Sequence, residues 1–480
     1  MGGKPLRDMV VLLPGITGSV LQKNGKDIWA ISGQAAVRLL TSNRDWVQDL
    51  ALSGSDSRGV IATSVMPDAH VVPGLVKIDG YSAMSKMVAD TFRIEPGSIW
   101  DNRPANFIEF PYDWRLDNRI NARRLADLIS KRLPLWQEYT GNPDARVIFL
   151  AHSMGGLVAR YYLEVLEGWP NCRALITFGT PYRGSLNALN FLANGYKKLF
   201  VDLTEVMRSF PAMYQLLPIY PAVRDGSTYI RVAEAKQITG VGKQQAEDGL
   251  AFHREIEAKV NEHQANGDYR DHGYVIVPVV GTSQRTMQSA VLNGTLVTVG
   301  PELPAVIDPL LADGDGTVPR ASAIPIELSD AYRDSFTPER HGALQCNLSV
   351  LNDLRGRLEQ MQAHGLREVR GPQESPAAAE QAAIALDLDD LYLQDEPVVM
   401  RARLVNVQRP PGPLGARIQP VNATAGTVAS ARAFTEDADG WRLELAGLEP
   451  GLYRVEVGTA TAGPGAPPPV HDLFEIAGRD

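Results

Sequence analysis

Short, nearly uninterrupted apolar runs alternate with amphipathic stretches over residues 1–365. The runs MVVLL (9–13), NFIEF (106–110), RVIFLA (146–151), RALITF (173–178) and YVIVPVV (274–280) have the length and character of strands buried on both faces. Between some of them, NARRLADLISKRLPLW (121–136) and MGGLVARYYLEVLEG (154–168) carry helical spacing. That order predicts a parallel sheet with helices over both faces. At Asn293-Gly294 the pattern changes. MQSAVL, then NG, then TLVTVG predicts a hairpin closed by a two-residue turn at NG.

Residues 182–270 read differently. LNALNFLANGYKKLF and SFPAMYQLLPIYP are rich in Leu, Phe, Tyr and Pro, and they fall between two core strands. An insertion there predicts a cap or lid; the simpler reading is a helical excursion with its own small core. A helix over GALQCNLSVLNDLRGRLEQMQAHG ends near Gly365. Residues 367–395, rich in Glu, Gln, Ala, Pro and Asp, read as a linker. From Glu396 the period becomes two: MRARL, WRLELAG and GLYRVEVG alternate apolar and polar positions, with turns at DG (439–440) and EPG (449–451). Residues 396–480 therefore predict a small β-sandwich, immunoglobulin-like.

Composition narrows the classes. The chain has 480 residues, 44% apolar and 21% charged, which suits one large domain plus a small one. A net charge of −9 argues against nucleic acid, whose phosphates would repel it. Two cysteines, Cys172 and Cys346, form no disulfide framework. The first apolar run, Met9 to Leu13, is too short for a signal-peptide core and ends at Pro14. Gly2 is followed by Leu6 where a myristoylation motif has Ser or Thr. No stretch reaches the roughly 18 apolar residues of a membrane span. The expectation is a cytoplasmic chain, with peripheral membrane contact left open.

The candidate chemistry starts where RVIFLA runs into His152-Ser153-Met154-Gly155-Gly156 and a helix follows. Strand, sharp turn and helix make the nucleophile elbow of the α/β-hydrolase fold. Small residues two before and two after the serine let strand and helix pack closely. Here they are Ala151 and Gly155, so the motif is A-x-S-x-G in place of G-x-S-x-G. The bland alternative is a tight turn in which Ser153 only caps the helix.

A serine hydroxyl needs an imidazole base, and the imidazole needs a carboxylate to fix its tautomer. In this fold the chain order is Ser, then acid, then His. Of eight histidines, only His341, His364 and His471 lie well downstream of a plausible acid. His471 is in the β-sandwich segment, and His364 ends a helix as a cap. His341, in ERHGALQCNLSVL, follows a loop and precedes a helix, and is the expected base. The acid lies in ADGDGTVP (312–319): Asp315 first, Asp313 second. That loop lacks the twelve-residue calcium pattern, so no metal is expected. Acyl transfer also needs two fixed N–H donors for the oxyanion. The expected donors are Met154, after the serine, and Ile16, in the Gly-containing loop after the first strand.

Together these segments resemble the lecithin:cholesterol acyltransferase family, including its bacterial lipase-like branch. The resemblance rests on LPGITGS, FPYDWR (110–115), AHSMGG, ITFGTPYRGS (176–185), FPAMYQLLP (210–218), DGDGTVP and RHGAL, in that order over about residues 10–350. It implies an α/β-hydrolase domain over 1–366 with a cap about 182–270. It also implies a Ser153–Asp315–His341 triad and oxyanion donors Ile16 and Met154. Asp113 and Arg115 would then be structural, as a buried ion pair. The implied chemistry is acyl-ester cleavage or transfer, with a lipid as substrate and no cofactor. Extracellular mammalian members have signal peptides and disulfides, neither of which is expected here, and that disfavours lipoprotein substrates. Two other readings stay open: an esterase for small soluble esters, and a non-catalytic scaffold whose β-sandwich binds a partner. The apolar stretch 191–220 leans towards lipid, because a mobile apolar cap suits acyl chains.

Overall fold

The five apolar runs form the inner strands of one seven-stranded sheet in the computed structural model. It describes residues 3–29, 49–52, 57, 59–67, 69–72, 76–195, 197–198, 201–328, 335–364, 381–407, 412–421, 429–459 and 465–478. The strands are β1 (Met9–Leu13), β2 (Pro96–Gly97), β3 (Phe107–Glu109), β4 (Val147–His152), β5 (Cys172–Phe178), β6 (Val275–Gly281) and β7 (Phe336–Thr337). Their spatial order is 2-3-1-4-5-6-7, and every pairing is parallel. This is the α/β-hydrolase arrangement. Its middle strand is β4, where Leu150 lies between Leu12 of β1 and Ile176 of β5. Every residue of β1 and β4 is buried, which explains why these strands read as continuous apolar runs.

Helices α1 (Ser82–Thr91), α2 (Asn118–Thr140), α3 (Met154–Glu164), α4 (Lys243–Ala265) and α5 (Leu348–His364) pack around the sheet. Local chemistry marks the ends of α2. The Asp117 carboxylate accepts from the Arg119 amide at 2.7 Å, and Gly141 closes the helix with φ 65°. Helix α3 is buried along its whole length and packs against α2 and the sheet.

The insertion over 182–270 holds helices and short strands. Its strand Val223–Asp225 pairs in parallel with Ser289–Asn293, which lies beyond β6. The insertion therefore joins a sheet with chain past residue 270. The hairpin is present, but its turn is shifted by one residue. Asn293 pairs with Leu296, so Gly294 (φ 65°) and Thr295 make the turn. Glycine at the first turn position is what a type II′ turn requires.

From residue 383 onward the chain forms two sheets around a separate apolar core that includes Met400, Val457 and Phe474. The strands are β8 (Ala383–Asp387), β9 (Leu391–Leu393), β10 (Val398–Val405), β11 (Leu414–Pro420), β12 (Ser430–Ala433), β13 (Thr435–Asp437), β14 (Gly440–Leu445), β15 (Gly451–Thr459) and β16 (Val470–Ala477). One sheet has the order 8-10-14-13 and the other 9-16-15-11-12. Strands β8 and β9 lie inside the stretch expected to be linker. Its remainder over 367–380 falls outside the described residues. The Tyr453 hydroxyl donates to the Glu449 carbonyl at 2.7 Å, a corner contact of the kind found in immunoglobulin-like sandwiches. Among the described residues no helix is long and apolar enough to cross a membrane.

Candidate active site

Ser153 sits where β4 turns into α3, with φ 51° and ψ −125°. A left-handed φ is costly for a residue with a side chain, and it aims the hydroxyl off the sheet. Two contacts hold the turn. The Ser153 amide donates to the Phe178 carbonyl at 2.9 Å, and the Thr180 hydroxyl donates to the Ser153 carbonyl at 2.9 Å. Close packing explains the glycines. A Cβ on Gly155 would lie 2.4 Å from the Pro14 carbonyl oxygen, and one on Gly156 would lie 2.0 Å from Thr180 Oγ1. Ala151, the departure from glycine before the serine, is fully buried within β4.

The structure brings the three expected side chains together. His341 Nε2 is 3.0 Å from Ser153 Oγ, and His341 Nδ1 is 2.8 Å from Asp315 Oδ2. The other Asp315 oxygen accepts from the amides of Thr317 at 2.9 Å and Val318 at 2.6 Å. The Gly-rich acidic loop thus closes on its own carboxylate. The His341 amide also donates to the Asp315 carbonyl at 2.9 Å, so acid and base are joined by backbone and side chain. All three residues are buried. Asp313, the second choice for the acid, is exposed, with φ 62°. His364 ends α5, and His471 lies on β16.

Met154 N–H opens α3 and belongs to the first turn, whose amides have no acceptor within the helix. Ile16 follows Gly15, and Gly15 lies against the elbow: a Cβ there would be 2.9 Å from Ser153 Cβ. Both expected oxyanion donors therefore belong to segments that flank the serine.

Several contributors were not anticipated from sequence. His152 Nε2 faces the His341 carbonyl at 3.2 Å. A carbonyl only accepts, so Nε2 carries the hydrogen. Nδ1 then accepts from the Tyr81 hydroxyl at 2.9 Å, and the Tyr81 oxygen accepts from the Gly15 amide at 2.8 Å. Burial pushes the His152 imidazole well below the usual histidine range, with the nearby His341 acting in the same direction, so it stays neutral. This chain ties the Gly15 loop to the backbone of His341. Gly179 is the second. With φ 59°, its missing Cβ would lie 2.8 Å from His341 Nδ1 and 2.9 Å from Asp315 Oδ2. The signal for it was the first glycine of ITFGTPYRGS, but a glycine in sequence does not say which side chains it faces.

The Asp113–Arg115 pair of FPYDWR is fully buried at 2.7 Å. Arg115 also donates to the carbonyls of Asp49, Leu50 and Ser57, which pins that segment. Several apolar residues of 191–220 are not held in reserve. Phe191, Leu192, Phe210, Met213 and Leu217 are buried in the main core, and Phe210 packs edge-on against Trp114 at 5.8 Å. Burial removes the ground on which that stretch favoured acyl chains.

Residues 77–271 match the family model for lecithin:cholesterol acyltransferase. No curated protein matches the chain. Among solved structures, the CARDB domain of a Pyrococcus furiosus protein is similar in its solution NMR form (7% identity, 20% of this chain, 94% of that chain, TM-score 0.14). Its crystal form with di-metal ions is similar too (9%, 22%, 95%, 0.15). The Bacillus licheniformis lipase BlEst2 in propeptide form is also similar (10%, 98%, 94%, 0.31). The family match contains Ser153 and ends before Asp315 and His341. Over the span that carries the elbow, the chain is therefore similar to the lecithin:cholesterol acyltransferase family.

Proposed function

We propose that the chain is a serine acyl-ester hydrolase or acyltransferase with Ser153 as nucleophile, His341 as base and Asp315 as the orienting acid. The observation that supports this best is the continuous hydrogen-bonded chain Ser153–His341–Asp315, at 3.0 and 2.8 Å, starting from a serine with φ 51°. In this reading, residues 1–366 form the catalytic domain with its cap, and the later strands form a separate β-sandwich.

The geometry supports the following steps. Ser153 Oγ attacks the ester carbonyl while its proton passes to His341 Nε2. Asp315 keeps the hydrogen on His341 Nδ1 and stabilises the imidazolium. The oxyanion is held by the amides of Met154 and Ile16. The tetrahedral intermediate collapses, the ester C–O bond breaks, and the leaving alcohol takes the proton from His341. Water or an acceptor alcohol then gives its proton to His341, attacks the acyl-enzyme and restores Ser153.

The substrate class in this proposal is a glycerolipid-type acyl ester, as the family description implies, met at a membrane surface without spanning it. One observation favours small soluble esters instead: Phe191, Leu192, Phe210, Met213 and Leu217 are packed in the core. A chain-length series of p-nitrophenyl esters separates the two. Rates that rise from acetate to longer acyl chains support lipid, and a steep preference for acetate contradicts it. Lipid mass spectrometry with wild type and Ser153→Ala, with and without an alcohol, assigns the acceptor. Ser153→Ala is expected to lose on the order of 10⁴-fold or more in turnover.

A further inference from the structure

The C-terminal sheets touch the segments that carry Asp315 and His341. Glu339, two residues before His341, is fully buried. One of its oxygens accepts from the amides of Arg340 at 2.9 Å and His471 at 3.0 Å. The other accepts from Asn347 Nδ2 at 2.9 Å and His471 Nδ1 at 2.7 Å. Arg340, adjacent to His341, sends its guanidinium to the Leu386 carbonyl and to Asp472 at 3.0 Å.

The acid side is gripped as well. The Gln284 amide donates to the Gly314 carbonyl at 3.0 Å, next to Asp315. The Gln284 side chain then pairs with β8 as a neighbouring strand would. Nε2 donates to the Ile384 carbonyl at 2.9 Å, and Oε1 accepts from the Leu386 amide at 3.1 Å. Leu386 therefore gives its N–H to the acid side and its carbonyl to the base side. Two further tethers meet the strands that precede Tyr81: Arg454 to Asp79 at 2.6 Å, and an apolar cluster of Ala69, Val71, Leu452 and Leu473.

We propose that the C-terminal β unit is a positioning clamp for the triad, with Leu386, His471 and Asp472 holding Gln284 and Glu339–Arg340 in place and so fixing Asp315 against His341. The inference rests on the Ser153–His341–Asp315 reading. His471, Asp472 and Leu386 touch no triad side chain and act through the residues they hold. A clamp changes the alignment of the base, whereas a module that only packs changes stability. A misplacement of about 1 Å can cost on the order of 100-fold in rate.

The test uses full-length protein with p-nitrophenyl butyrate, and fluorophosphonate titration of Ser153 to count active sites. His471→Ala and Gln284→Ala are expected to lower kcat about tenfold or more, with KM held within about twofold. His471→Asn keeps an N–H donor for Glu339 and is expected to restore kcat to within about twofold of wild type. Tyr453→Phe, which removes a corner contact inside the β unit and none of its tethers, is expected to lower Tm and leave kcat unchanged. Should burial of Gln284 prevent its variant from folding, the half-exposed His471 pair decides alone. Wild-type kcat in folded His471→Ala, or no recovery in His471→Asn, would overturn the clamp alone. A wild-type protein that fluorophosphonate does not label would overturn the triad reading and the clamp with it.

Discussion

Ser153 holds a backbone conformation that costs roughly 1–3 kcal/mol, kept in place by Phe178 and Thr180. Around it, single atoms decide the chemistry. Asp315→Asn is expected to cut kcat by on the order of 10⁴-fold, since an amide at that position favours the wrong imidazole tautomer. Asp313→Asn, at an exposed position, is expected to leave kcat unchanged; steady-state kinetics on both variants checks the choice of acid. Gly179→Ala places a methyl against both His341 Nδ1 and Asp315 Oδ2 and is expected to lose about 100-fold or more in kcat. A Gly179→Ala enzyme with wild-type kcat would contradict that packing. Chain order left three histidines in the sequence, and local context then singled out His341, with Asp315 as the first choice of acid. His152, Tyr81 and Gly179 were not legible, because each works through a spatial neighbour far away in the chain.

At the scale of elements, the strand and helix assignments follow from patterning because the central strands are buried on both faces. Turn register is harder to read. NG is the stronger local signal, yet the pairing of Asn293 with Leu296 moves the turn to Gly294-Thr295. The stretch read as linker misled through composition, since the short runs AIALD of β8 and LYL of β9 lie among many acidic and polar residues. The FPYDWR loop makes a test at this scale. Arg115→Met leaves the Asp113 carboxylate buried and unpaired, and also frees three carbonyls. Urea denaturation is expected to show a loss of about 3–5 kcal/mol. A loss under about 1 kcal/mol would mean that the pair contributes little beyond its own desolvation.

Across the whole molecule, an α/β core and a β unit meet at polar tethers that no sequence period could reveal, because they join residues such as Glu339 and His471 from distant segments. The β unit also carries a titratable weak point. Burial pushes the Glu475 carboxyl on β16 up to about 7, and one of its oxygens has no partner among the described residues. The folded state therefore binds the proton more tightly than the unfolded chain. Stability is fully present below about 4.5 and is lost as pH rises through about 7, by roughly 3 kcal/mol at full ionisation. Glu475→Gln is expected to raise Tm above pH 7 and to give no gain near pH 4.5. An equal gain at both pH values would show that ionisation of Glu475 is not the cause.

The central claim, that Ser153 is an activated nucleophile, is tested most directly by labelling folded protein with a fluorophosphonate and mapping the adduct by peptide mass spectrometry. The expected result is one adduct per chain, on Ser153, absent in Ser153→Ala and strongly slowed in His341→Ala. Folded wild-type protein that stays unlabelled, or an adduct on another residue, would contradict it.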